Sequence, residues 1–280
     1  MATLAELRER PHHSYSSLNT FLNVCPLQYA MRYVYKMESE KTSVNLPFGS
    51  AFHGALSWLA ARRKNSDYVD VEITRDIFTE CWSVECDAAV NLTLAPESKW
   101  DELNELGRKM VSAFYEGWLE DNVMEVGKAF SVPIIDAEGE TVSEKPLIGE
   151  IDLVVKNEKG EAVIVDWKTS ATKWSDGKAD SHFQATCFCY AWTHENKRIP
   201  PFRYDVVTKT KAPSYERLNT VRTMDDFYRL AELVKVVERA IANDLFFPMT
   251  GGYACKDCPH SRACANWHRN RSRTLFTQAA

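Results

Sequence analysis

Two apolar runs separated by a turn signal dominate the middle of this 280-residue chain. The first is Gly149-Glu150-Ile151-Asp152-Leu153-Val154-Val155 and the second is Val163-Ile164-Val165-Asp166-Trp167-Lys168, with Asn157-Glu158-Lys159-Gly160 between them. Short runs rich in β-branched residues and bounded by Asn and Gly read as the two strands of a hairpin. If Glu158-Lys159-Gly160 is a three-residue loop with Gly160 in the left-handed position, Asn157 pairs with Glu161. That register sets Asp152 across from Asp166 and Glu150 across from Lys168. Strand side chains alternate with period two, so Ile151, Leu153, Val155, Val163, Val165 and Trp167 are expected together on the other face.

Two facing carboxylates repel unless a cation lies between them, and a divalent metal with oxygen ligands meets that demand. Lys168, two residues after Asp166, points into the same place and can stabilise negative charge that develops on a substrate. Metal-assisted phosphodiester hydrolysis uses this layout. A solvated hairpin face also carries Glu and Lys, but both strands are apolar enough to be buried, and buried carboxylates need partners.

Hydrophobic residues make up 45% of the sequence, and no run approaches the roughly 18 consecutive apolar residues of a membrane span. The first ten residues are charged and lack an apolar secretory core, so a soluble, cytoplasmic protein is expected. The net charge of −5 does not advertise nucleic-acid binding, yet local distribution matters more than the sum. After Ala254 the chain carries Lys256, Arg262, Arg269, Arg271 and Arg273 against Asp257 alone. Such a tail either touches phosphates or simply meets water.

No repeat, low-complexity tract or Pro/Ser-rich linker divides the chain, which reads as one domain. Ser14 to Phe21 opens a helix with Leu18, Phe21, Leu22 and Cys25 on one stripe. Pro47-Phe48-Gly49-Ser50 leads into a second, with Phe52, Ala55, Leu56 and Leu59 on its apolar side. Helical periodicity continues over residues 74–90 and 100–123. Residues 129–135, the hairpin and 202–208 read as strands, and residues 182–192 and 225–245 as helices. Helices first, then a strand cluster, then helix, strand and helix fit an α/β domain with a mixed sheet better than a regular βαβ alternation.

Eight cysteines without an export signal argue against a disulfide framework. Three form Cys255-x2-Cys258-x5-Cys264, a spacing that lets thiolates share one metal centre. Cys25, followed by Pro26 and close to Tyr29, is the best fourth ligand. Cys81, Cys86, Cys187 and Cys189 read as small buried hydrophobes. Four thiolates suit zinc or an iron–sulfur cluster, and His260 or His268 keeps a zinc site of three cysteines and one histidine open.

Five pieces, in order, resemble one family: Tyr15-Ser16-Ser17-Leu18 with Cys25-Pro26-Leu27-Gln28-Tyr29; Gly49-Ser50-Ala51-Phe52-His53; Gly149-Glu150-Ile151-Asp152; Val165-Asp166-Trp167-Lys168; and the cysteine cluster. Together they resemble the PD-(D/E)xK nuclease superfamily. More narrowly, they are similar to the RecB-like exonucleases with an iron–sulfur staple, which include the AddB nuclease domain and the CRISPR-associated RecB-like exonuclease. The resemblance implies a restriction-endonuclease-like α/β fold, a mixed β-sheet core flanked by helices. It divides the chain into a helical part (14–125), a nuclease core (129–250) and a cysteine staple with a basic tail (251–280).

By the same resemblance, Asp152 and Asp166 bind Mg²⁺ or Mn²⁺ together with the main-chain carbonyl of Trp167. His53 is a metal ligand or active-site histidine, and Lys168 orients the attacking water or stabilises the transition state. Gln184 matches the family's helical glutamine. The tyrosine expected four residues later is replaced by Phe188, and Tyr190 stands nearby instead. Cys25, Cys255, Cys258 and Cys264 would hold a 4Fe–4S cluster, with Zn²⁺ as the alternative. The implied activity is a divalent-metal-dependent deoxyribonuclease, an exonuclease on DNA ends or single-stranded DNA. Recombination, repair, phage DNA processing or CRISPR adaptation, in a bacterial or phage-infected cell, would be its setting. A structure-specific endonuclease and a non-catalytic DNA-binding module are the alternatives. No phosphate-binding G-x4-G-K-[ST] loop occurs, so any ATP dependence would come from a partner helicase. Trp58, Tyr68, Trp174 and Trp267 are candidates for base stacking.

Overall fold

The computed structural model describes residues 2–92, 97–118 and 121–277. The first part is helical: α1 (Leu4–Arg8), α2 (Tyr15–Asn19), α3 (Pro26–Tyr29), α4 (Asn45–Lys64), α5 (Val71–Ala88) and α6 (Glu97–Gly117). A two-residue strand, β1 (His13–Ser14), precedes α2. Then come β2 (Asn122–Val132), β3 (Leu147–Lys156), β4 (Ala162–Ser170), α7 (Lys178–Ser181), α8 (Phe183–Asn196), β5 (Phe202–Thr208), β6 (Tyr215–Thr220), α9 (Met224–Ala242) and α10 (Ser261–Thr277). None of the described helices is long and apolar enough to cross a membrane.

The single stripe expected from Ser14 to Cys25 is broken into pieces. Ser14 and Ser17 cap α2 reciprocally, a π-helical turn spans Thr20–Val24, and Cys25 adopts an extended backbone, φ −168°. Pro26 causes the break: it restricts the residue before it to extended geometry and then fits the first turn of α3, where no N–H is required. The helical period over residues 100–123 also overran. α6 ends at Gly117, and Val123 pairs with Val155 in a strand that begins at Asn122 rather than Ala129. Pairing along the whole of β3 outweighs the weak local preference of the charged stretch around Glu125 and Lys128. β6 went unread because Tyr215-Glu216-Arg217-Leu218-Asn219-Thr220 is a polar edge strand, held by its pairing with β5.

Strand order is β1-β3-β4-β5-β6, with β2 antiparallel to β3 and β4 parallel to β5. Helices cover both faces. One core sets Phe48, Phe52, Leu56, Phe78, Trp82 and Phe114 of α4, α5 and α6 against Leu153, Val155, Val165 and Trp167. The other sets Leu18, Phe21, Ala185, Phe188 and Leu230 against Ile151, Val154 and Ile164. The result is a three-layer α/β/α arrangement.

β1 is tied to α9 through polar groups. His13 Nε2 meets Glu238 Oε1 at 2.6 Å, and Lys145 Nζ reaches the same oxygen at 3.1 Å. The hydrogen bond from His13, with help from Lys145, holds the Glu238 carboxyl down at about 2, against an ordinary 4.5. A depressed folded-state value means the stabilisation is present above pH 4.5 and is lost as pH falls towards 2. Glu238→Gln is therefore expected to cost about 1–2 kcal/mol near pH 7 and much less near pH 3. Urea denaturation at both values tests this, and an equal cost at pH 3 would rule the explanation out.

Candidate active site

The hairpin turn forms as its sequence demands. The Gly160 N–H donates to the Asn157 carbonyl at 2.9 Å, Asn157 N–H to Glu161 at 2.9 Å, and Gly160 takes φ +77°. Leu153 pairs with Val165 and Val155 with Val163, the expected register. Beyond Leu153, however, β3 and β4 separate. β2 occupies one edge of β3 throughout, so β1 at Leu147–Ile148 and β4 at Leu153–Lys156 share the other edge. A gap opens between them, and the site lies there.

Asp152 stands at the start of the gap, where the period-two alternation slips. Ile151 packs beneath α8 with Val154 and Ile164, whereas Leu153 packs beneath α4. The expectation that Ile151 shares a face with Leu153 is thus corrected. Where β4 leaves, only the β2 ladder still holds β3, and on the open edge the Asp152 side chain fills the missing place: its Oδ2 accepts the Trp167 N–H at 2.9 Å. The N–H and C=O of one strand residue leave on the same edge, so the Trp167 carbonyl also points into the gap. Glu150 was expected across from Lys168, but it pairs with Ala129 of β2 and lies exposed. Lys168 contacts Asp166 Oδ2 instead, at 2.5 Å.

Helices on both faces complete the constellation. α4 brings His53 from one side, its Nδ1 3.3 Å from Asp152 Oδ1. α8 brings Gln184 from the other, its Nε2 donating to Asp166 Oδ1 at 2.5 Å. The Asp166 side chain is 2% exposed, Asp152 18% and His53 33%, so the site opens towards α4. Burial, which outweighs the pull of Lys168 and is reinforced by Asp152, pushes the Asp166 carboxyl up to about 6. Asp152 goes the other way. Although buried, it is held below its ordinary value by the charge and hydrogen bond of His53, by Lys168 and by the Trp167 N–H. The His53 ring is opposed by burial but held above its ordinary value by Asp152.

This donor set fits a hard divalent cation. Asp166 Oδ2 is fully buried and has no hydrogen-bond partner apart from the Lys168 contact, and Gln184 Oε1 has none. Two carboxylates converging beside a strand carbonyl are oxygen ligands of the kind Mg²⁺ and Mn²⁺ take. Among the described residues, no three His, Cys, Asp or Glu side chains by themselves form a metal-holding group, so a bound ion would rely on the Trp167 carbonyl and water as well. Tyr190 takes no part. Its hydroxyl accepts from the Ile135 N–H at 2.8 Å and donates to the Pro133 carbonyl at 2.9 Å, fixing the end of β2.

The four cysteines singled out by spacing meet at one pocket. Cys25, Cys255, Cys258 and Cys264 line a cavity of about 150 Å³ together with Gln28 and Met249, and neither His260 nor His268 is among the lining residues. Cys25 Sγ caps α3 by accepting the Gln28 N–H at 3.4 Å. Burial and the neighbouring thiols raise Cys258 and Cys264, because thiolates crowded together repel. A cation among them would reverse that effect. The sequence offered no sign of the second tie at this place. Glu40 accepts the N–H groups of Arg262 and Ala263, both at 3.0 Å, and so caps α10 from 222 residues away. Of the basic tail, the side chains of Arg271 and Arg273 lie outside the described residues.

Among the proposed stacking aromatics, Tyr68 is almost fully exposed and Trp58 lies beneath the Arg62 guanidinium. Trp174 and Trp267 are partly buried against the core on the α8 and α9 face of the sheet.

A protein from Eubacterium rectale described as a candidate exonuclease superposes with a TM-score of 0.49 and 13% identity, over 88% of each chain. SSO0001 superposes with a TM-score of 0.43 and 15% identity, over 93% of this chain and 91% of its own. Among curated proteins, none matches the sequence. The sequence does match the family description of the PD-(D/E)XK nucleases over residues 12–265, a span that contains the divided sheet, both aspartates, Lys168 and all four clustered cysteines. This chain belongs to the PD-(D/E)XK nuclease superfamily.

Proposed function

We propose that the protein is a divalent-metal-dependent deoxyribonuclease of the RecB-like type, an exonuclease on DNA ends or single strands. The observation that carries this reading is the convergence of Asp152, Asp166 and Lys168 where β3 and β4 part. Asp152, Asp166 and the Trp167 carbonyl would hold Mg²⁺ or Mn²⁺, which when bound supplies a Lewis acid and lowers the pKa of water. His53 keeps Asp152 ionised and fixes its rotamer. Gln184 fixes the rotamer of Asp166 from the opposite layer through its amide hydrogen bond to Oδ1. Lys168 offsets the negative charge of the phosphodiester as it becomes pentacoordinate. The cysteine pocket is read as a 4Fe–4S staple that joins the two ends of the chain and does no chemistry.

End-labelled linear DNA, circular single strands and circular duplexes, each with Mg²⁺ or Mn²⁺ and with chelator, test the activity. Release of nucleotides from linear DNA alone is expected. Cutting of circles would indicate an endonuclease, and binding without cleavage a non-catalytic module. Elemental analysis of anaerobically purified protein tests the staple. About four irons per chain supports it, whereas one zinc without iron would replace it with a tetrahedral site.

Lys168→Ala is expected to slow cleavage by about 10²–10³-fold. It should also displace the pH profile. Metal and proton compete for Asp166, so at limiting Mg²⁺ activity is expected to fall as pH drops through about 6, where burial has placed the metal-free carboxyl. Lys168 pulls it downwards, so without the lysine the acidic limb moves to higher pH. A slower enzyme with an unmoved limb would mean that Lys168 acts away from Asp166.

A further inference from the structure

The connection from β4 to α8 joins the strand bearing Asp166 and Lys168 to the helix bearing Gln184, and it carries an aromatic stack that the hydrolytic chemistry leaves unused. The Trp174 and His182 rings lie 5.3 Å apart and 18° from parallel. Tyr204 buttresses both, with ring centres 5.0 Å from Trp174 and 5.2 Å from His182, and its hydroxyl is 3.1 Å from His182 Nδ1. Lys178 Nζ sits 4.4 Å from the centre of the Trp174 ring. The turn that brings it there is built for the purpose: the Lys178 N–H bonds the Ser175 carbonyl at 3.1 Å, and Gly177 takes φ +74°. Trp174 is half-buried at the rim of the core, while the chain around it, from Ala171 to Lys178, is exposed.

We propose that Trp174, backed by His182, is the platform on which the nucleobase of an unpaired DNA terminus stacks while its phosphate enters the Asp152–Asp166 gap. This rests on the nuclease reading above and names the part of the substrate that the site selects. Every base has a π face, so a tryptophan platform holds single strands without regard to sequence. The stack is next to the chemistry: Tyr204, which buttresses both rings, is the register partner of Asp166 across β4 and β5, and its hydroxyl accepts the N–H of Ala185, the residue after Gln184, at 3.1 Å. Burial, more than the nearby positive charges, also pushes His182 down to about 4, leaving it a neutral ring. Lys178 is exposed, so its side chain can yield the tryptophan ring to a base and turn to a phosphate, exchanging one cation–π contact for an ion pair. A duplex end presents its bases already stacked and paired, so the platform favours frayed or single-stranded termini.

The test uses oligonucleotides bound by the full-length Asp166→Asn protein, so that cleavage does not intervene. Removing the terminal base, to leave an abasic nucleotide, is expected to weaken binding about ten- to a hundredfold. In the Asp166→Asn/Trp174→Leu protein that ratio should fall to about one, and Trp174→Phe should restore most of it. A tryptophan that only fills space would change both affinities together. If Trp174→Leu does not fold, photocrosslinking of a terminal 5-iodouracil to the protein that retains Trp174 decides the matter. Attachment at Trp174 supports the platform. Attachment elsewhere, no attachment, or a base-to-abasic ratio near one overturns it. Base-dependent binding without any metal-dependent cleavage by the unsubstituted protein would instead sink the nuclease reading and leave the platform standing.

Discussion

Replacing Asp166 with asparagine is expected to lower metal-dependent cleavage by about 10³-fold or more while leaving the metal-free protein as stable as before, or more so. The two effects share one cause. The Asp166 carboxyl is buried within reach of Asp152, and the folded state already resists its ionisation, placing it at about 6 rather than 3.8. A carboxyl raised on folding contributes stability below its unfolded value and loses it as pH rises through the folded value. Above pH 6 the metal-free protein therefore carries a strained charge. Asparagine removes that charge yet can still accept the Gln184 amide hydrogen that now reaches Oδ1 at 2.5 Å. Melting temperatures at pH 5 and pH 8 should diverge less in the variant than in the parent. Cleavage above about a tenth of the parental rate would remove Asp166 from the ligand set, because the loss of metal chemistry costs several kcal/mol. A strong loss of stability at pH 8 would show that the carboxylate is held by more than Lys168 and Gln184.

Cys258→Ser is expected to lower the melting temperature by about 10 °C or more in protein that carries the staple. Protein contacts alone would not produce that. Cys258 Sγ has only a long contact with Gln28 Oε1, at 3.9 Å, and serine at this partly exposed position costs little. Cys187 is the control. Its thiol is fully buried under the sheet, so serine there buries a hydroxyl at a cost of about 1–3 kcal/mol. With an intact cluster Cys258→Ser is the more damaging of the two, and without one the order reverses. Cys25 and Cys255 lie 230 residues apart, and loop-closure entropy grows only logarithmically with that separation. Thermal melting of anaerobic preparations, with iron content measured on the same samples, reads the order directly. The Glu40 cap on α10 would keep the chain ends together in either variant, so loss of the cluster is expected to loosen the staple rather than unfold the chain.

The parts of the site that were legible in advance share a feature: each is carried by a short stretch of chain. Asn157 and Gly160 specify their turn through backbone geometry at single residues, and the turn then sets the register of the strands that follow. Asp166 and Lys168 share a face because a strand alternates. Cys255, Cys258 and Cys264 converge because their spacing turns the chain back on itself within ten residues. His53 and Gln184 were placed at the site only through family resemblance, since nothing local to either residue points towards an aspartate. The π-helical break before Cys25 was half-visible, because Pro26 signalled an interruption without indicating where the next turn would begin.

Sequence alone therefore determined the hairpin, the chemical identity of the carboxylate–lysine set and the grouping of three thiols, because periodicity and turn chemistry act over a few residues. Tertiary structure decided where the hairpin splits. β1 arrives from more than 130 residues upstream to take part of the edge that β4 gives up. It decided that Asp152 turns into that opening, that Lys168 pairs with Asp166 rather than Glu150, and that α4 and α8 close on the site from opposite faces. These outcomes are competitions among distant groups for one strand edge or one buried charge. Each is settled by which partner relieves the most unsatisfied polar surface, a quantity that exists only once the layers have packed.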